Sequence, residues 1–230
     1  MKVRKENFVI DNKSCIGYIT DAAKHLLIQP IDEHDIEVLD NEVVEIQNNT
    51  DKQFSLIAFK IEDWNSELSP WEAPPSFRNK SFGSGATDTL EFIESRLIPT
   101  VKERYNLDND IKFILGGYSL AGLFSLWSAY KSNIFSGIAA ASPSVWFNGW
   151  EGFMNNNTPL SNTIYLSLGD TEEKTKNKVM SAVGDNIRKQ EELLKNDKIK
   201  TILEWNKGGH FSNSDIRVAK AFIWCIENLG

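Results

Sequence analysis

Ser119, His210 and a carboxylate between them are the residues of this chain whose types and order could do chemistry. A serine hydroxyl becomes a nucleophile when an imidazole takes its proton. A carboxylate then orients the imidazole and stabilises its cation. Ser119 sits in Gly117-Tyr118-Ser119-Leu120-Ala121, between the apolar run Ile111–Leu115 and an apolar helical stretch. Strand, sharp turn and helix are the setting of a nucleophile elbow. The turn strains the serine backbone and crowds the residues two before and two after it, so both must be small. Gly117 and Ala121 meet that need; alanine departs mildly from the usual second glycine, and Gly122 follows at once. The helix N-terminus beneath the serine offers free N–H groups and partial positive charge to a developing oxyanion. The competing reading is a Gly/Ser turn that joins strand to helix and does no chemistry. The partners further along the chain weigh against it.

Asn162–Leu168 is a strand-like run that ends in Gly169-Asp170-Thr171-Glu172-Glu173. Ile199–Trp205 alternates like a strand and runs through Asn206-Lys207 into Gly208-Gly209-His210-Phe211. The chain order is therefore serine, acid, histidine, with acid and histidine each just past the C-terminal end of a strand. Such loops are where parallel sheets hold ligands. The chain has three histidines, His25, His34 and His210. His25 precedes Leu26-Leu27-Ile28 and reads as a strand-edge residue. His210 alone follows a glycine pair late in the chain, which favours a general base over a capping or core histidine. Asp170, Glu172 and Glu173 all remain candidates for the acid, favoured in the order Glu172, Glu173, Asp170. The others are solvated loop charges.

The elements that must position these groups alternate between strand and helix. Phe8–Ile10 and Cys15–Thr20 read as opening strands around an Asp11-Asn12-Lys13 turn. His25–Gln29 and Phe54–Ile61 are core strands, with a helix over Asp35–Gln47 between them. Thr87–Tyr105 is helical, capped by Thr87 or Asp88 and kinked at Pro99. After the elbow come a strand at Phe135–Ala141, a helix around Lys178–Leu194, and a final helix Ile216–Asn228 capped by Ser214 or Asp215. This alternation predicts an α/β class: a mostly parallel sheet covered by helices on both faces. One domain over 1–230 accommodates the whole pattern.

Two aromatic segments exceed a minimal scaffold. One is a Pro/Gly-punctuated loop over 62–86 that contains Trp64 and Trp71; the other is Ser142-Pro143-Ser144-Val145-Trp146-Phe147. Both should leave the sheet at the edge that bears Ser119, which makes Trp71 and Trp146 candidates for the walls of a substrate pocket. The alternative is that these tryptophans anchor their loops.

A net charge of −7 argues against nucleic acid and anionic membrane as partners. Cys15 and Cys225 stand near opposite ends, in no metal-binding or redox spacing. No apolar run approaches membrane-spanning length, and MKVRKENFVI has no apolar core of a signal peptide. The expected setting is the cytoplasm.

Together, G-Y-S-L-A-G-L, A-S-P-S-V-W-F, L-S-L-G-D-T-E-E and G-G-H-F resemble, in order and spacing, the Putative esterase family. This is the esterase D group of α/β hydrolases, which includes enterochelin esterases and S-formylglutathione hydrolases. The D-W-N-S-E-L-S-P-W loop is also similar to small bacterial esterases of that group. The resemblance runs from about Leu26 onward. It implies the α/β-hydrolase fold and carries nucleophile, acid and base to Ser119, Glu172 and His210. Ala121 and the acidic doublet depart from the family pattern, and the doublet keeps the acid open. The expected chemistry is hydrolysis of a small-molecule carboxylic ester through an acyl-enzyme, without metal or cofactor. Leu120 N–H is one expected oxyanion donor. The second comes from the loop after His25–Gln29, where Pro30 has no N–H, which leaves Ile31 or Asp32. Acyl transfer on the same scaffold and ligand binding without turnover are the alternatives.

Overall fold

Strands buried on both faces of a parallel sheet read as continuous apolar runs, and several such runs form the centre of this protein. The computed structural model describes residues 3–76 and 80–229. β1 (Arg4–Ile10) and β2 (Lys13–Ile19) form an antiparallel hairpin closed by Asp11 and Asn12. Both turn residues have positive φ, 47° and 66°. Asp and Asn tolerate that backbone, and a turn of this hand matches the strand twist. β3 (His25–Ile31) is buried along its whole length. α1 (Glu33–Asn49) follows, started by a capping box in which Asp32 accepts from the Asp35 N–H and Asp35 accepts from the Asp32 N–H. β4 (Phe54–Lys60) pairs with β3 in parallel and with β2 antiparallel.

The loop from 62 to 86 contains a short helix, α2 (Trp64–Glu67), and a single bridge between Ala73 and Phe82. The helical stretch predicted over Thr87–Tyr105 is α3 (Ala86–Phe92), a π-helical turn over Ile93–Leu97, and α4 (Ile98–Tyr105). Gly85 precedes the helix without a side-chain cap, so neither Thr87 nor Asp88 serves as one. The expected kink at Pro99 is taken up by the wider π turn just before it, since proline offers no N–H to a regular ladder.

β5 (Lys112–Tyr118) leads directly into α5 (Ser119–Ser128). β6 (Phe135–Ala141), α6 (Trp150–Asn155), β7 (Thr163–Gly169), α7 (Val183–Asn196), β8 (Lys200–Asn206) and α8 (Ser214–Asn228) complete the order. α7 starts later than the sequence suggests because Met180–Ala182 coils as a 3₁₀ turn. α8 starts after Asn213 in a left-handed conformation with no side-chain cap; Asp215 bonds instead to Asn41 of α1.

The sheet runs β1-β2-β4-β3-β5-β6-β7-β8, parallel from β4 to β8. Successive strand residues feed opposite layers. Leu26 and Ile28 join α3, α4, α5 and α7 in one core, while Leu27 and Ile114 join α1 and α8 in the other. The carboxyl ends of β5, β6, β7 and β8 therefore converge on one edge, and their loops meet there.

Candidate active site

Ser119 is the first residue of α5 and has φ of 57°. A non-glycine residue is strained there and persists only when its surroundings impose it. The imposition is visible at Gly117: a Cβ at that position would lie 2.7 Å from the Ala121 methyl. Gly117 must be glycine so that Ala121 can be alanine, which explains how the elbow accommodates its departure from the usual pattern.

Ser119 Oγ lies 2.9 Å from His210 Nε2, and His210 Nδ1 lies 2.7 Å from Glu172 Oε2. Of the three acid candidates the structure brings Glu172 to the imidazole. Glu173 turns away to Arg188, at 2.9 Å. Asp170 Oδ1 accepts the Gly208 N–H at 2.9 Å, which holds the loop that bears His210. Glu172 is buried, and its second oxygen is fully engaged. Oε1 accepts from the Gly169 N–H (2.7 Å), the Ser142 hydroxyl (2.9 Å) and Arg217 Nη1 (3.0 Å). Burial opposes ionisation of this carboxyl. Hydrogen bonding and the charge of His210, helped by Gly169 and Ser142, outweigh burial and hold its pKa below the ordinary value.

Tyr118 supports the histidine from below. Its hydroxyl donates to the His210 carbonyl at 2.6 Å, and the two rings lie 5.2 Å apart. Ser144 Oγ sits 3.3 Å from Ser119 Oγ, close enough to share its hydrogen bonding. His25 starts β3 with Nδ1 3.3 Å from the Gln53 carbonyl, and His34 is exposed near Glu37. Neither reaches Ser119.

Ser119 and His210 open into a cavity of about 620 Å³ walled mainly by Trp64, Phe82, Trp146, Met180, Val183 and Phe211. Both aromatic segments contribute, as their position after β4 and β6 requires. Trp146 is in the wall. Trp71 is not: its indole N–H donates to the Asn148 carbonyl at 2.8 Å and its ring packs on Phe147 and Phe153. It is the anchor that ties one aromatic loop to the other. Phe211 is 90% exposed and stands edge-on to His210 at the cavity mouth.

Leu120 lines the cavity at the start of α5, where its N–H has no intrahelical acceptor. Ile31, expected as the second donor, is corrected by the sheet. It pairs with Lys60, and its carbonyl accepts from the Ile61 N–H at 2.9 Å. The N–H and C=O of one strand residue point the same way, so its amide faces β4 and not the Ser119 side. Asp32 does line the cavity, with its N–H 3.2 Å from Asp35 Oδ2.

Sequence reasoning missed Arg217, Tyr118, Ser142 and Phe211. Arg217 had left a signal, a charge on the otherwise apolar stripe of α8 that includes Val218, Ala221 and Phe222. Among the described residues no group of His, Cys, Asp and Glu side chains is arranged to hold a metal ion, and no helix is long and apolar enough to cross a membrane.

The model of the family described as "Putative esterase" matches residues 45–211, from α1 through His210 and Phe211. The chain belongs to that family. This esterase is a carboxylic ester hydrolase on an α/β-hydrolase fold. No curated protein sequence matches it. Among solved structures it is similar to the siderophore hydrolase EstA from Aspergillus nidulans, with TM-score 0.75 and 14% identity over 98% of this chain and 94% of that one. An IroE-like serine hydrolase from Shewanella oneidensis superposes with TM-score 0.78 and 13% identity, over 99% of this chain and 80% of that one. The enterobactin and salmochelin hydrolase IroE gives 0.66 and 18% identity, over 96% and 94%. At these identities the likeness is one of fold.

Proposed function

We propose that the esterase works through Ser119 as nucleophile, His210 as general base and Glu172 as the orienting acid. The observation that carries this reading is the continuous chain from Ser119 Oγ through His210 to Glu172 Oε2, at 2.9 and 2.7 Å, opening into the aromatic cavity. Glu172 accepts a hydrogen bond from the Nδ1–H and so holds the tautomer in which Nε2 is free to accept the Ser119 proton. Ser119 Oγ attacks the ester carbonyl, and the oxyanion forms against the Leu120 N–H at the head of α5. Asp32 N–H, in its long bond to Asp35, is the donor proposed across the cavity. His210 then protonates the leaving alcohol. It next draws a proton from water as that water attacks the acyl-enzyme and restores Ser119.

The substrate class follows from the walls. Trp64, Phe82, Trp146 and Phe211 offer aromatic faces and edges, with Met180 and Val183 as an adaptable apolar floor. An ester with an aromatic or bulky apolar acyl or alcohol part fills this space. Several solved neighbours are named for siderophore or enterobactin hydrolysis, which makes siderophore esters the first candidates. Buried, unpaired Cys15 and Cys225 support a reducing, cytoplasmic place of work.

The test is labelling with a fluorophosphonate probe, followed by a panel of p-nitrophenyl, feruloyl, thioester and catecholate-siderophore esters. Labelling at Ser119 with a preference for aromatic acyl groups is the expected result. Labelling elsewhere, or none, overturns the assignment.

A further inference from the structure

Arg217 is 2% exposed, and the mechanism above makes no use of it. Burying a permanent cation is costly unless its donors are met by placed acceptors. Here they are. Nη1 donates to Glu172 Oε1 at 3.0 Å, to the Tyr118 hydroxyl at 2.9 Å and to Ser142 Oγ at 3.2 Å. Nη2 donates to the Lys207 carbonyl at 3.2 Å. These contacts reach all three parts of the site. Tyr118 immediately precedes Ser119, Lys207 opens the Lys207-Gly208-Gly209-His210 turn, and Glu172 is the acid itself. Through the Tyr118 hydroxyl the same guanidinium is linked to the His210 carbonyl.

We propose that Arg217 is the positioning residue of this esterase. It locks Glu172 with Oε2 towards His210 and balances that carboxylate's charge from the other oxygen. The proposal rests on the roles given above to Ser119, Glu172 and His210. A carboxylate beside an imidazole favours the imidazolium, and a cation on the other oxygen of the same carboxylate cancels part of that pull. Acids also stand near this turn, Asp170 behind the Gly208 amide and Asp32 in the lining of the same cavity, with the cationic Lys207 at its start. Tyr118, which faces the imidazole, is held in its neutral form, mainly by burial. Arg217 is thus the positive charge in contact with Glu172 from α8, opposed by acids from the loops after β3 and β7. The bland alternative is that Arg217 only fastens α8 to the sheet, which would cost stability when lost and leave the titration of the base unmoved.

The experiment measures kcat/KM against pH with a p-nitrophenyl ester, using the full chain. The variants are Arg217→Met and Arg217→Lys, each with and without Glu172→Gln. Arg217→Met should move the acid limb of the profile to higher pH, because the charge that offsets Glu172 is gone, and lower the plateau ~10–100-fold, mostly in kcat. Arg217→Lys keeps a buried cation, so it should keep the acid limb. It should lose ~10-fold in rate because one ammonium cannot span four acceptors. With Glu172→Gln present, Arg217→Met should cost little more, because the two act as a unit. An unmoved acid limb in Arg217→Met, or a loss of equal size with and without Glu172, overturns the proposal. If Arg217→Met does not fold, Arg217→Lys decides: full rate, or an acid limb shifted upward, refutes it. Failure of the underlying roles would show separately, as a Glu172→Gln single variant with near-normal activity.

Discussion

Replacing Glu172 by glutamine tests the site at its most determined point. The two carboxylate oxygens are not equivalent. Oε1 accepts from the Gly169 N–H, the Ser142 hydroxyl and Arg217, while Oε2 accepts from His210 Nδ1 alone. A glutamine in this buried slot should place its amide oxygen where the three donors converge, because an NH₂ there would face the Gly169 N–H and the Arg217 guanidinium. The NH₂ then faces His210 Nδ1. Two donors cannot share that contact, so the imidazole moves its proton to Nε2. The nitrogen 2.9 Å from Ser119 Oγ becomes a donor and can no longer take the serine proton. Wrong-tautomer locking of this kind costs roughly 10⁴ in kcat, about 5 kcal/mol of transition-state stabilisation. Glu173→Gln should change the rate less than about twofold, since Glu173 makes a half-exposed pair with Arg188. The assay is steady-state hydrolysis of a p-nitrophenyl ester, with circular dichroism to show that both variants are folded. A Glu172→Gln enzyme with more than about a tenth of wild-type kcat, or equal losses in both variants, refutes the reasoning.

Ser119→Ala should remove the nucleophile, lower ester hydrolysis by on the order of 10⁴ or more, and abolish fluorophosphonate labelling; near-normal turnover would refute the role. Trp146→Ala and Phe211→Ala should change the ranking of bulky aromatic esters against acetate more than the rate on acetate. Trp71→Ala should leave that ranking alone and lower stability by about 2–3 kcal/mol in denaturant unfolding, because it removes an anchor rather than a wall. Glu42→Gln should stabilise the fold at neutral pH. Burial, with the charges of Asp35 and Asp215, raises the Glu42 pKa well above its ordinary value. Its contribution to folding is therefore full below the unfolded pKa and is lost as pH rises through the folded one. Neither Glu42 Oε1 nor Gln29 Oε1 has a partner, and an amide at 42 supplies the missing donor. Melting curves at pH 7 and near pH 4 should show a gain of roughly 1–3 kcal/mol at the first and almost none at the second. An equal gain at both would contradict the assignment.

Periodicity and local chemistry made most of the scaffold legible. β3, β4, β6 and β7 are short apolar runs bounded by glycine, proline or polar turns, and a run buried on both faces carries its identity in composition, whereas β8 announces itself by alternation. The elbow was legible for the same local reason: a positive φ at Ser119 needs small residues on either side, and Gly117 and Ala121 are written next to it. Chain order put the acidic cluster after β7 and His210 after β8. Helix starts were less legible, because Gly85 and Asn213 begin helices with no side-chain cap to announce them.

What lay beyond the sequence was every choice made by contact between distant segments. Glu172, Glu173 and Asp170 are chemically alike and adjacent, and only the approach of His210, Ser142 and Arg217 from β8, β6 and α8 selects one of them. Trp71 and Trp146 have the same local signature, yet the Asn148 carbonyl captures one and leaves the other in the cavity wall. Ile31 and Asp32 both follow Pro30, and sheet register turns the Ile31 amide into the β3–β4 ladder while Asp32 lies in the cavity lining. The sequence by itself determined which chemistry the chain could do and at which edge of the sheet, because those depend on residue type, period and order. The tertiary structure decided which of several equivalent side chains stands at the imidazole and which in the cavity wall, because that depends on directions and distances between strands that no local pattern encodes.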